Sequence, residues 1–487
     1  MSAQRTGPST DHPATGADAP AHAIATAVRS GAVRAEDVAA RALARIASRD
    51  RRVNAFTDVL ADRALAEARA LDVRVAAGQD PGPLAGVPVA VKNLVDLAGL
   101  ETRAGRGPDR DRTPAATDAV AVARLRAAGA VPVGALNMGE LAYDFTGENA
   151  HAGDTLNPHD LARRAGGSSS GSGAALAAGM VPLTLGTDTN GSIRVPSSWC
   201  GVFGLKPTYG RVPRTGTFPF VDSLDHVGPM ARTTYDLALA LDALAGHDPG
   251  DPASQPRPAP GATAALAADG GVAGLRIAVA GGYFALPEDP AMTAERDALV
   301  RVCTALGVTA SVSWDGVEEA RAAAAVITAA EGTTTHYDLL SARPEAFGDP
   351  VRDRLFGGAL VPAVAYVKAQ RLRRRFAAHA AAAFRDFDAV LVPAIPFRAP
   401  RVDSDLLPID GTDQPYRAHI GRYTQPLSLT GLPILCAPVT GAGPLPVGVQ
   451  IVTAPWREDI GLRIAQALER LGVLGAPLAP WAQEADP

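Results

Sequence analysis

Lysine is rare in this chain, and its scarcity marks a candidate catalytic base. Lys92, Lys206 and Lys368 are the three lysines among 46 basic residues. Arginine stays protonated under nearly all conditions, whereas a buried lysine can lose its proton and act as a base. Lys92 ends the apolar run 86–92, which is typical of a buried strand, so it is the lysine placed for that role. A lysine that snorkels from the end of a strand is the alternative explanation.

A run of serine and glycine at 166–173 can be tested against several catalytic motifs. A P-loop needs a lysine after its second glycine, and a dinucleotide-binding turn needs a third glycine three residues after its second, so neither pattern is complete. Residues 167–171 do fit the nucleophile elbow G-x-S-x-G, which would make Ser169 the nucleophile of an esterase of the α/β-hydrolase type. No particular downstream Asp and His stand out as its partners. Apolar sequence on both sides indicates that the run is packed inside the protein rather than forming a flexible linker.

The segment 186–196, Gly-Thr-Asp-Thr-Asn-Gly-Ser-Ile-Arg-Val-Pro, is a second candidate for catalytic chemistry. Asn190 and Gly191 both tolerate positive φ, which would point successive backbone N–H groups into one cavity and bind an oxyanion there. Ser192 would lie at the end of this loop. An Asx-type turn capped by Ser192 is the simpler alternative.

The elements that would position these residues alternate between helices and strands. Apolar residues at helical spacing predict a helical layer over 21–71 and a helix over 118–128. Short apolar or β-branched runs predict buried strands at 86–92, 130–134, 181–186, 275–281 and 389–393. This alternation favours an α/β architecture with a largely parallel or mixed sheet. The polar, proline-rich residues 1–20 predict a flexible tail.

Composition excludes several classes of protein. With 487 residues, of which 47% are hydrophobic and 20% charged, the chain can bury a large core, and its net charge of −5 does not attract nucleic acid or anionic membranes. Three distant cysteines predict neither a disulfide framework nor a zinc site, and together with the absence of a secretory signal they favour the cytoplasm. Two charge-free stretches, 165–187 and 423–456, are broken by polar residues and proline, so we interpret them as buried loops, strands and helix rather than membrane spans.

Taken together, Lys92, the run 166–172 and the block 187–208 resemble the amidase signature family. The resemblance extends to four further segments, 118–140, 157–158, 225–229 and 426–450. It therefore covers most of residues 70–475. It implies the amidase signature fold, which is one large α/β domain over 21–487 with a mixed central sheet flanked by helices.

The resemblance also implies a catalytic triad that needs no cofactor and no metal. The lysine, the serine in a cis peptide linkage and the nucleophilic serine of the family correspond to Lys92, Ser168 and Ser192. In that scheme neutral Lys92 takes a proton from Ser168, Ser168 takes one from Ser192, and Ser192 attacks an amide carbonyl to form an acyl-enzyme. Four backbone amides would hold the developing oxyanion, those of Thr189, Asn190, Gly191 and Ser192. Asn190 departs from the glycine that many members carry, although Asn tolerates this conformation.

Parts of the sequence resemble one group of the family more closely. The loop 187–198 and the segments 217–226 and 454–459 are similar to hydrolases of small, polar, anionic amides or ureido compounds such as carboxybiuret. This similarity implies release of ammonia, a small accessory subunit, and a homodimer or heteromer. The glutaminase subunit of a tRNA-dependent glutamine amidotransferase shares nearly every motif and remains an alternative.

Substrate contacts are the least defined part of these expectations. In the glutaminase of that amidotransferase an Asp near the Thr-x-Pro element is associated with the substrate's amino group, whereas this chain has Gly-Arg-Tyr at 421–423, and an arginine favours a carboxylate instead. The arginines at 352–354 are further candidates. His336 has no second histidine at metal-ligand spacing and would serve packing or specificity. The candidate substrate-binding residues are Met138, Tyr143, Ser169, His336 and Arg422.

Overall fold

The computed structural model describes residues 12–107, 112–268, 270–409 and 411–483. Its helices are α1 (Ala21–Arg29), α2 (Ala35–Val53), α3 (Ala61–Ala76), α4 (Val120–Ala127), α5 (Ser170–Ala177), α6 (Arg194–Cys200), α7 (Thr234–Leu244), α8 (Ala262–Ala267), α9 (Thr293–Leu306), α10 (Val317–Ala342), α11 (Asp349–Ala359), α12 (Ala363–Ala382), α13 (Gln425–Ser428) and α14 (Glu458–Arg470). Its strands are β1 (Phe56–Val59), β2 (Pro88–Lys92), β3 (Val131–Leu136), β4 (Leu156–Asn157), β5 (Asp160–Arg164), β6 (Leu183–Asp188), β7 (Phe203–Lys206), β8 (His226–Ala231), β9 (Ile277–Ala280), β10 (Ala310–Val312), β11 (Ala389–Pro393), β12 (Leu406–Ile409), β13 (Thr412–Pro415), β14 (Ile434–Pro438) and β15 (Gly448–Thr453).

Eleven of the described strands form one sheet, in the order β1-β3-β2-β6-β8-β7-β14-β15-β11-β9-β10. Parallel pairing joins β3, β2 and β6 on one side and β11, β9 and β10 on the other, and the strands between them are antiparallel. The five predicted strands are confirmed as β2, β3, β6, β9 and β11. The prediction of one α/β domain with a mixed sheet flanked by helices is therefore confirmed.

The order of three strands brings the polar ends of the sheet together. β2 and β6 are parallel neighbours, with Val91 opposite Leu185, so their carboxyl ends lie at the same edge. β8 runs antiparallel to β6, and His226 at its start is opposite Asp188. Lys92, which ends β2, is therefore next to the end of β6. This edge carries the candidate site.

The amino-terminal region differs from its prediction in two respects. The predicted helical layer over 21–71 is present as α1, α2 and α3, but β1 interrupts it and pairs with β3 at the edge of the sheet. Residues 1–11 of the predicted tail lie outside the described residues. Over 12–20 the prediction of a flexible tail is wrong, because Ala14 and Ala19 are buried and the Arg232 guanidinium donates to the Ala19 carbonyl at 3.1 Å.

A helical layer made of α10, α11 and α12 covers the part of the molecule that faces the site edge. α10 packs against both of the other helices and against α13. None of the helices in the described ranges is long and apolar enough to cross a bilayer. Of the two charge-free stretches, 165–187 is buried throughout, as predicted, whereas 423–456 forms buried strands and a short helix joined by a turn at 441–446 that is not buried.

Candidate active site

The Lys92 amine lies inside the protein between two hydroxyl groups. Its side chain is 0% exposed, because β2 runs through the centre of the parallel part of the sheet. Nζ is 2.7 Å from Ser168 Oγ and 2.8 Å from Thr187 Oγ1. Thr187 is on β6, the neighbour of β2, so the pairing of the two strands sets this contact. Lys92 therefore does not snorkel to solvent.

Ser168 is held by backbone hydrogen bonds on both sides. The peptide bond between Gly167 and Ser168 is cis. The Gly139 amide donates to the Ser168 carbonyl at 3.1 Å, and the Gly167 amide donates to the Phe145 carbonyl at 2.8 Å. Helix α5 begins two residues later, and a side chain at Gly171 would meet the Ala55 carbonyl at 2.3 Å. Only glycine fits there, which explains one glycine of the predicted catalytic run.

The loop that carries Ser192 is organised around a buried carboxylate. Asp188 accepts hydrogen bonds from the amides of Gly191 at 2.8 Å and Ile193 at 3.2 Å. It also forms an ion pair with Arg194, whose Nε is 2.9 Å away, and both side chains are 0% exposed. Burial acts to raise the pKa of Asp188, but the charge and hydrogen bonds of Arg194 hold it at about 2. The Ser169 amide donates to the Ser192 carbonyl at 3.2 Å, which joins this loop to the Ser168 turn.

Burial also determines the protonation state of the Lys92 amine. Removal from water lowers the pKa of Lys92 from its usual 10.5 to about 7, and the charges of Asp225 and Asp188 oppose this change without cancelling it. Neither carboxylate pairs with the amine. Lys92 can therefore gain or lose a proton near neutral pH, which is what a general base requires.

The segments that carry Ser168 and Ser192 are joined, but the hydroxyls of these two serines are not hydrogen-bonded to each other. Within the described residues no hydrogen bond links Ser168 Oγ to Ser192 Oγ, although the Ser169 amide holds the two segments together. Catalytic hydrogen bonds are often long before substrate binds and tighten in the complex. The geometry therefore contains the first link of the expected proton relay, between Lys92 and Ser168.

Three amides of the Ser192 loop are available to bind an anion. Of the four amides expected to hold the oxyanion, that of Gly191 already donates to Asp188. In the described part of the chain, the amides of Thr189, Asn190 and Ser192 donate to no acceptor. Gly191 has φ 137°, and a side chain there would meet Thr424 Oγ1 at 2.5 Å, so the loop needs glycine at this position.

A cavity of about 280 Å³ lies against this loop. Ser192 and Tyr143 are among the residues that line it, and α10 and α11 contribute Thr328 and Arg354. Asn190 Nδ2 donates to Thr328 Oγ1 at 2.7 Å and thereby ties the Ser192 loop to α10. The described residues contain no group of three or more His, Cys, Asp or Glu side chains that could hold a metal ion.

Comparison with known proteins matches this arrangement to one family. The family model described as Amidase matches residues 37–461, which is most of the chain. The chain belongs to the amidase signature family. The resemblance seen in the sequence is thereby confirmed, and the protein is a hydrolase that acts on carbon–nitrogen bonds of amides.

Its relatives within the amidase signature family include components of two different enzymes. AtzE of Pseudomonas sp. (strain ADP), which is named as a 1-carboxybiuret hydrolase subunit, is 49% identical, over 92% of this chain and 98% of that protein. A glutamyl-tRNA(Gln) amidotransferase subunit of Chloroflexus aggregans is 36% identical, over 92% and 95%. A solved structure described as a vestigial protein complex that reveals the origins of an s-triazine catabolic enzyme aligns with a TM-score of 0.90 at 47% identity, covering 94% of this chain and 99% of that one.

The predicted substrate-binding residues of this amidase differ in whether they line the cavity. Tyr143, one of the expected substrate contacts, lines the cavity. Met138 and Ser169 are 0% exposed and, within the described residues, are not part of the cavity wall. The Ser169 hydroxyl accepts from the Thr187 amide at 3.2 Å and donates to the Thr187 carbonyl at 3.1 Å, so it anchors a strand. The nucleophile-elbow hypothesis for Ser169 is therefore wrong.

The other two predicted substrate contacts lie behind or beside the cavity. His336 stacks on Phe218, with ring centroids 5.5 Å apart, and burial lowers its pKa to about 4, so it packs behind the cavity wall as a neutral ring. Arg422 lies over the rings of Tyr283 and Tyr423 in an adjacent, more open cleft of about 650 Å³. That cleft shares Arg417 with the cavity. Neither His336 nor Arg422 is among the described residues that line the cavity with Ser192.

Several residues of the site have no motif that would reveal them. Thr187 is one such residue, although strand register next to Lys92 could have indicated it. The pair of Lys206 and His226 is another: Lys206 Nζ lies 3.2 Å from His226 Nε2 and donates to the Leu432 carbonyl at 2.6 Å. Burial lowers the pKa of Lys206 to about 7. The scarcity of lysine, which identified Lys92, applies equally to this residue.

Proposed function

We propose that Ser192 is the nucleophile of this amidase and that Ser168 and Lys92 form its proton relay. The observation that carries this proposal is the contact of 2.7 Å between Ser168 Oγ and a fully buried Lys92 amine. A neutral amine has one lone pair, and it can accept the Ser168 proton while donating to Thr187 Oγ1.

The reaction proceeds through an acyl-enzyme. Lys92 accepts the Ser168 proton as Ser168 accepts the Ser192 proton, and Ser192 Oγ forms a bond to the amide carbonyl carbon. The carbonyl oxygen becomes an oxyanion. Collapse of this tetrahedral intermediate breaks the carbon–nitrogen bond, and the relay returns the proton to the leaving nitrogen, which departs as ammonia or an amine.

The second half of the reaction repeats the relay with water. A water molecule gives a proton to the same chain of groups and attacks the acyl carbon, which releases the acid and restores the Ser192 hydroxyl. In both halves the amides of Thr189, Asn190 and Ser192 stabilise the oxyanion, and removing one donor of this kind typically costs about 3 to 4 kcal/mol.

We further propose that the substrate is a small amide or ureido compound. Support comes from the 49% identity to a protein named as part of 1-carboxybiuret hydrolase and from a cavity of about 280 Å³, which suits a small molecule. Hydrolysis of glutamine, on the pattern of the amidotransferase relatives, is the second candidate, and the identity to the Chloroflexus aggregans protein is lower at 36%.

Ammonia release from a panel of small amides tests this proposal. The panel contains carboxybiuret, malonamate, simple aliphatic amides and glutamine. Ser192→Ala should abolish turnover because it removes the attacking oxygen, and Ser168→Ala should lower it strongly because it interrupts the relay. Ser169→Ala is the matched control in the same serine run, and we expect most activity to remain.

Mass spectrometry of the quenched enzyme supplies a second measurement. An acyl adduct on the peptide that contains Ser192 is expected during turnover. An active Ser192→Ala enzyme combined with an inactive Ser169→Ala enzyme would contradict the proposal. If glutamine is hydrolysed and the other compounds of the panel are not, the amidotransferase alternative is favoured over a ureido substrate.

We also propose that the enzyme works in the cytoplasm and with a partner subunit or a second copy. Two of its relatives are named as subunits, and a similar structure is described as a complex. Three large apolar side chains at the corner of α11 and α12 are exposed, Phe356, Leu360 and Val364, as expected of a contact surface. The three cysteines are free thiols, which suits a reducing compartment. Light scattering of the purified chain measures its association.

A further inference from the structure

Lys206, the second buried lysine, has three hydrogen-bond acceptors around its amine. It ends β7 and is 0% exposed. Its Nζ lies 2.6 Å from the Leu432 carbonyl, 3.2 Å from the Pro207 carbonyl and 3.2 Å from His226 Nε2. An ammonium group has three N–H donors, so these acceptors satisfy all of them. Lys92 differs, because its partners are hydroxyl groups, which can donate as well as accept.

The surroundings of the His226 ring determine which nitrogen carries a hydrogen. Nδ1 is 2.6 Å from the Leu224 carbonyl and 3.2 Å from the Asp188 carbonyl. Carbonyl oxygens only accept, so Nδ1 carries the hydrogen and shares it between them, and Nε2 offers its lone pair to Lys206. With no proton between Nζ and Nε2 two lone pairs would face each other, and with two protons two N–H groups would. The contact of 3.2 Å therefore favours one proton, and one positive charge, on the pair.

The proton of this pair resides on Lys206. Burial lowers the pKa of Lys206, but burial and the charge of Lys206 together lower the pKa of His226 well below its usual 6.5, so the ring is the weaker base. Among the described residues no carboxylate oxygen lies within 4.0 Å of either side chain. The nearby carboxylates of Asp188 and Glu458 each bind an arginine instead. The positive charge is therefore not neutralised by direct contact.

Three adjacent strands place this pair behind one amide of the Ser192 loop. β8 lies between β7 and β6, so His226 at the start of β8 contacts Lys206 on one side and Asp188, its partner in β6, on the other. The Asp188 carbonyl belongs to the same peptide group as the Thr189 amide, which donates to no acceptor in the described part of the chain. Hydrogen bonds in a chain polarise one another, so donation to this carbonyl strengthens the amide as a donor.

We propose that the Lys206–His226 pair orients and polarises the Asp188–Thr189 peptide, so that the Thr189 amide stabilises the oxyanion more strongly. This inference rests on the proposed function, because it concerns the oxyanion formed when Ser192 attacks the substrate. His226 is then a positioning residue, since it acts through Thr189 and not by contact with the substrate. Its effect should be largest in the transition state, where the negative charge develops.

Three variants separate the hydrogen bond from the charge. His226→Phe keeps a ring and removes both nitrogens, whereas His226→Asn keeps a donor near the position of Nδ1. Lys206→Met keeps the imidazole and removes the charge. His159→Phe is the matched control, because that imidazole also donates to a backbone carbonyl, that of Cys200 at 3.0 Å. Neither His159 nor Cys200 is among the described residues that line the cavity.

Ammonia release from malonamide measures the effect on turnover. We expect His226→Phe to lower kcat by roughly 10- to 100-fold, as for the loss of a charge-assisted hydrogen bond, with KM nearly unchanged. His226→Asn should recover part of this loss. Lys206→Met should lower kcat less than His226→Phe, and the double variant should lower it no more than His226→Phe alone, because the lysine acts through the imidazole. His159→Phe should leave kcat unchanged.

Two binding measurements separate the oxyanion from the ground state. Ethylboronic acid forms a tetrahedral adduct with a nucleophilic serine, and its inhibition constant should rise in His226→Phe by about the same factor as kcat falls. Binding of malonamide to the Ser192→Ala enzyme, measured by calorimetry, should not change when His226→Phe is added. Melting curves identify a variant that fails to fold, in which case His226→Asn and Lys206→Met carry the comparison.

The results that would overturn this role are distinct from those that would overturn the proposed function. An unchanged kcat in folded His226→Phe enzyme, or a loss seen in KM and malonamide binding but not in kcat, would overturn the role of His226. A double variant whose loss equals the product of the two single losses would overturn the route through the imidazole. Turnover that survives Ser192→Ala would instead overturn the proposed function, and with it the assignment of the oxyanion to this loop.

Discussion

The pH dependence of the reaction tests the central feature of the site, a buried amine with a pKa of about 7. Moving this pKa down from 10.5 corresponds to roughly 5 kcal/mol against the charged form. The active form of the base is neutral, so activity should rise with pH. Roughly a tenth of Lys92 is neutral at pH 6, half at pH 7 and about nine-tenths at pH 8. We therefore expect kcat/KM to increase about tenfold from pH 6 to pH 8, with its midpoint near 7.

Asp225→Asn moves this midpoint in a defined direction. The charge of Asp225 raises the pKa of Lys92, so its removal should lower that pKa and shift the midpoint to lower pH. The same change distinguishes Lys92 from Lys206, whose pKa is also about 7 but responds to Arg194, Asp188 and Glu458. Asp222→Asn is the control, because that carboxylate is 89% exposed and should leave the profile unchanged.

The assay measures ammonia release from malonamide, which has no charge in this range, so the profile of kcat/KM reports the free enzyme. A profile that is flat between pH 6 and 8, or that rises only near pH 10, would refute a neutral Lys92 as the base. An Asp225→Asn profile displaced to higher pH would refute the electrostatic argument, even if the wild-type midpoint were near 7.

Two further predictions concern charges around the site. Asp188→Asn should lower the free energy of unfolding by about 3 to 5 kcal/mol, because it leaves the buried guanidinium of Arg194 without its carboxylate, and urea denaturation measures this loss. Arg422→Gln should lower kcat/KM for malonamate by roughly threefold at low salt and hardly at all at high salt, because Arg422 faces the adjacent cleft and can attract anions only at a distance. An equal loss at both salt concentrations would indicate direct contact instead.

Local sequence singled out Lys92 and the loop that carries Ser192, whereas Ser168 was assigned only by the resemblance to the family, because the pattern of its own run pointed to Ser169. Lys92 ends a buried apolar run, Ser168 precedes a short helix in a glycine-rich turn, and Ser192 follows a strand and a loop rich in residues that accept unusual φ. Once β2 and β6 are parallel neighbours, their carboxyl ends must meet. The pairing of these two strands then places Lys92 next to the loop that follows β6.

The wall opposite Ser192 could not be anticipated in the same way. Thr328 and Arg354 reach the cavity from α10 and α11, more than a hundred residues after the Ser192 loop. The arginines at 352–354 were candidates for substrate contact, but no motif showed that Arg354 rather than Arg352 would reach the cavity, and nothing in the sequence indicated Thr328. Periodicity predicts that a helix has a buried face but not which surface covers it. The sequence also does not show that Asp188 binds the Gly191 amide.

The hydrogen bonds of Asp188 and Asp225, the two carboxylates near Lys92, explain how the Lys92 amine can be neutral while the Ser192 loop is held in place. A carboxylate with no other partner beside a buried amine would form an ion pair with it and keep the lysine protonated. Asp188 instead binds Arg194 and two amides of the Ser192 loop, and Asp225 binds the Thr189 hydroxyl and two amides of its own turn. The hydrogen bonds that shape the oxyanion loop thus occupy the carboxylates that would otherwise pair with Lys92. Desolvation is then the largest influence on the amine, and the same contacts that position Ser192 leave its base free to accept a proton.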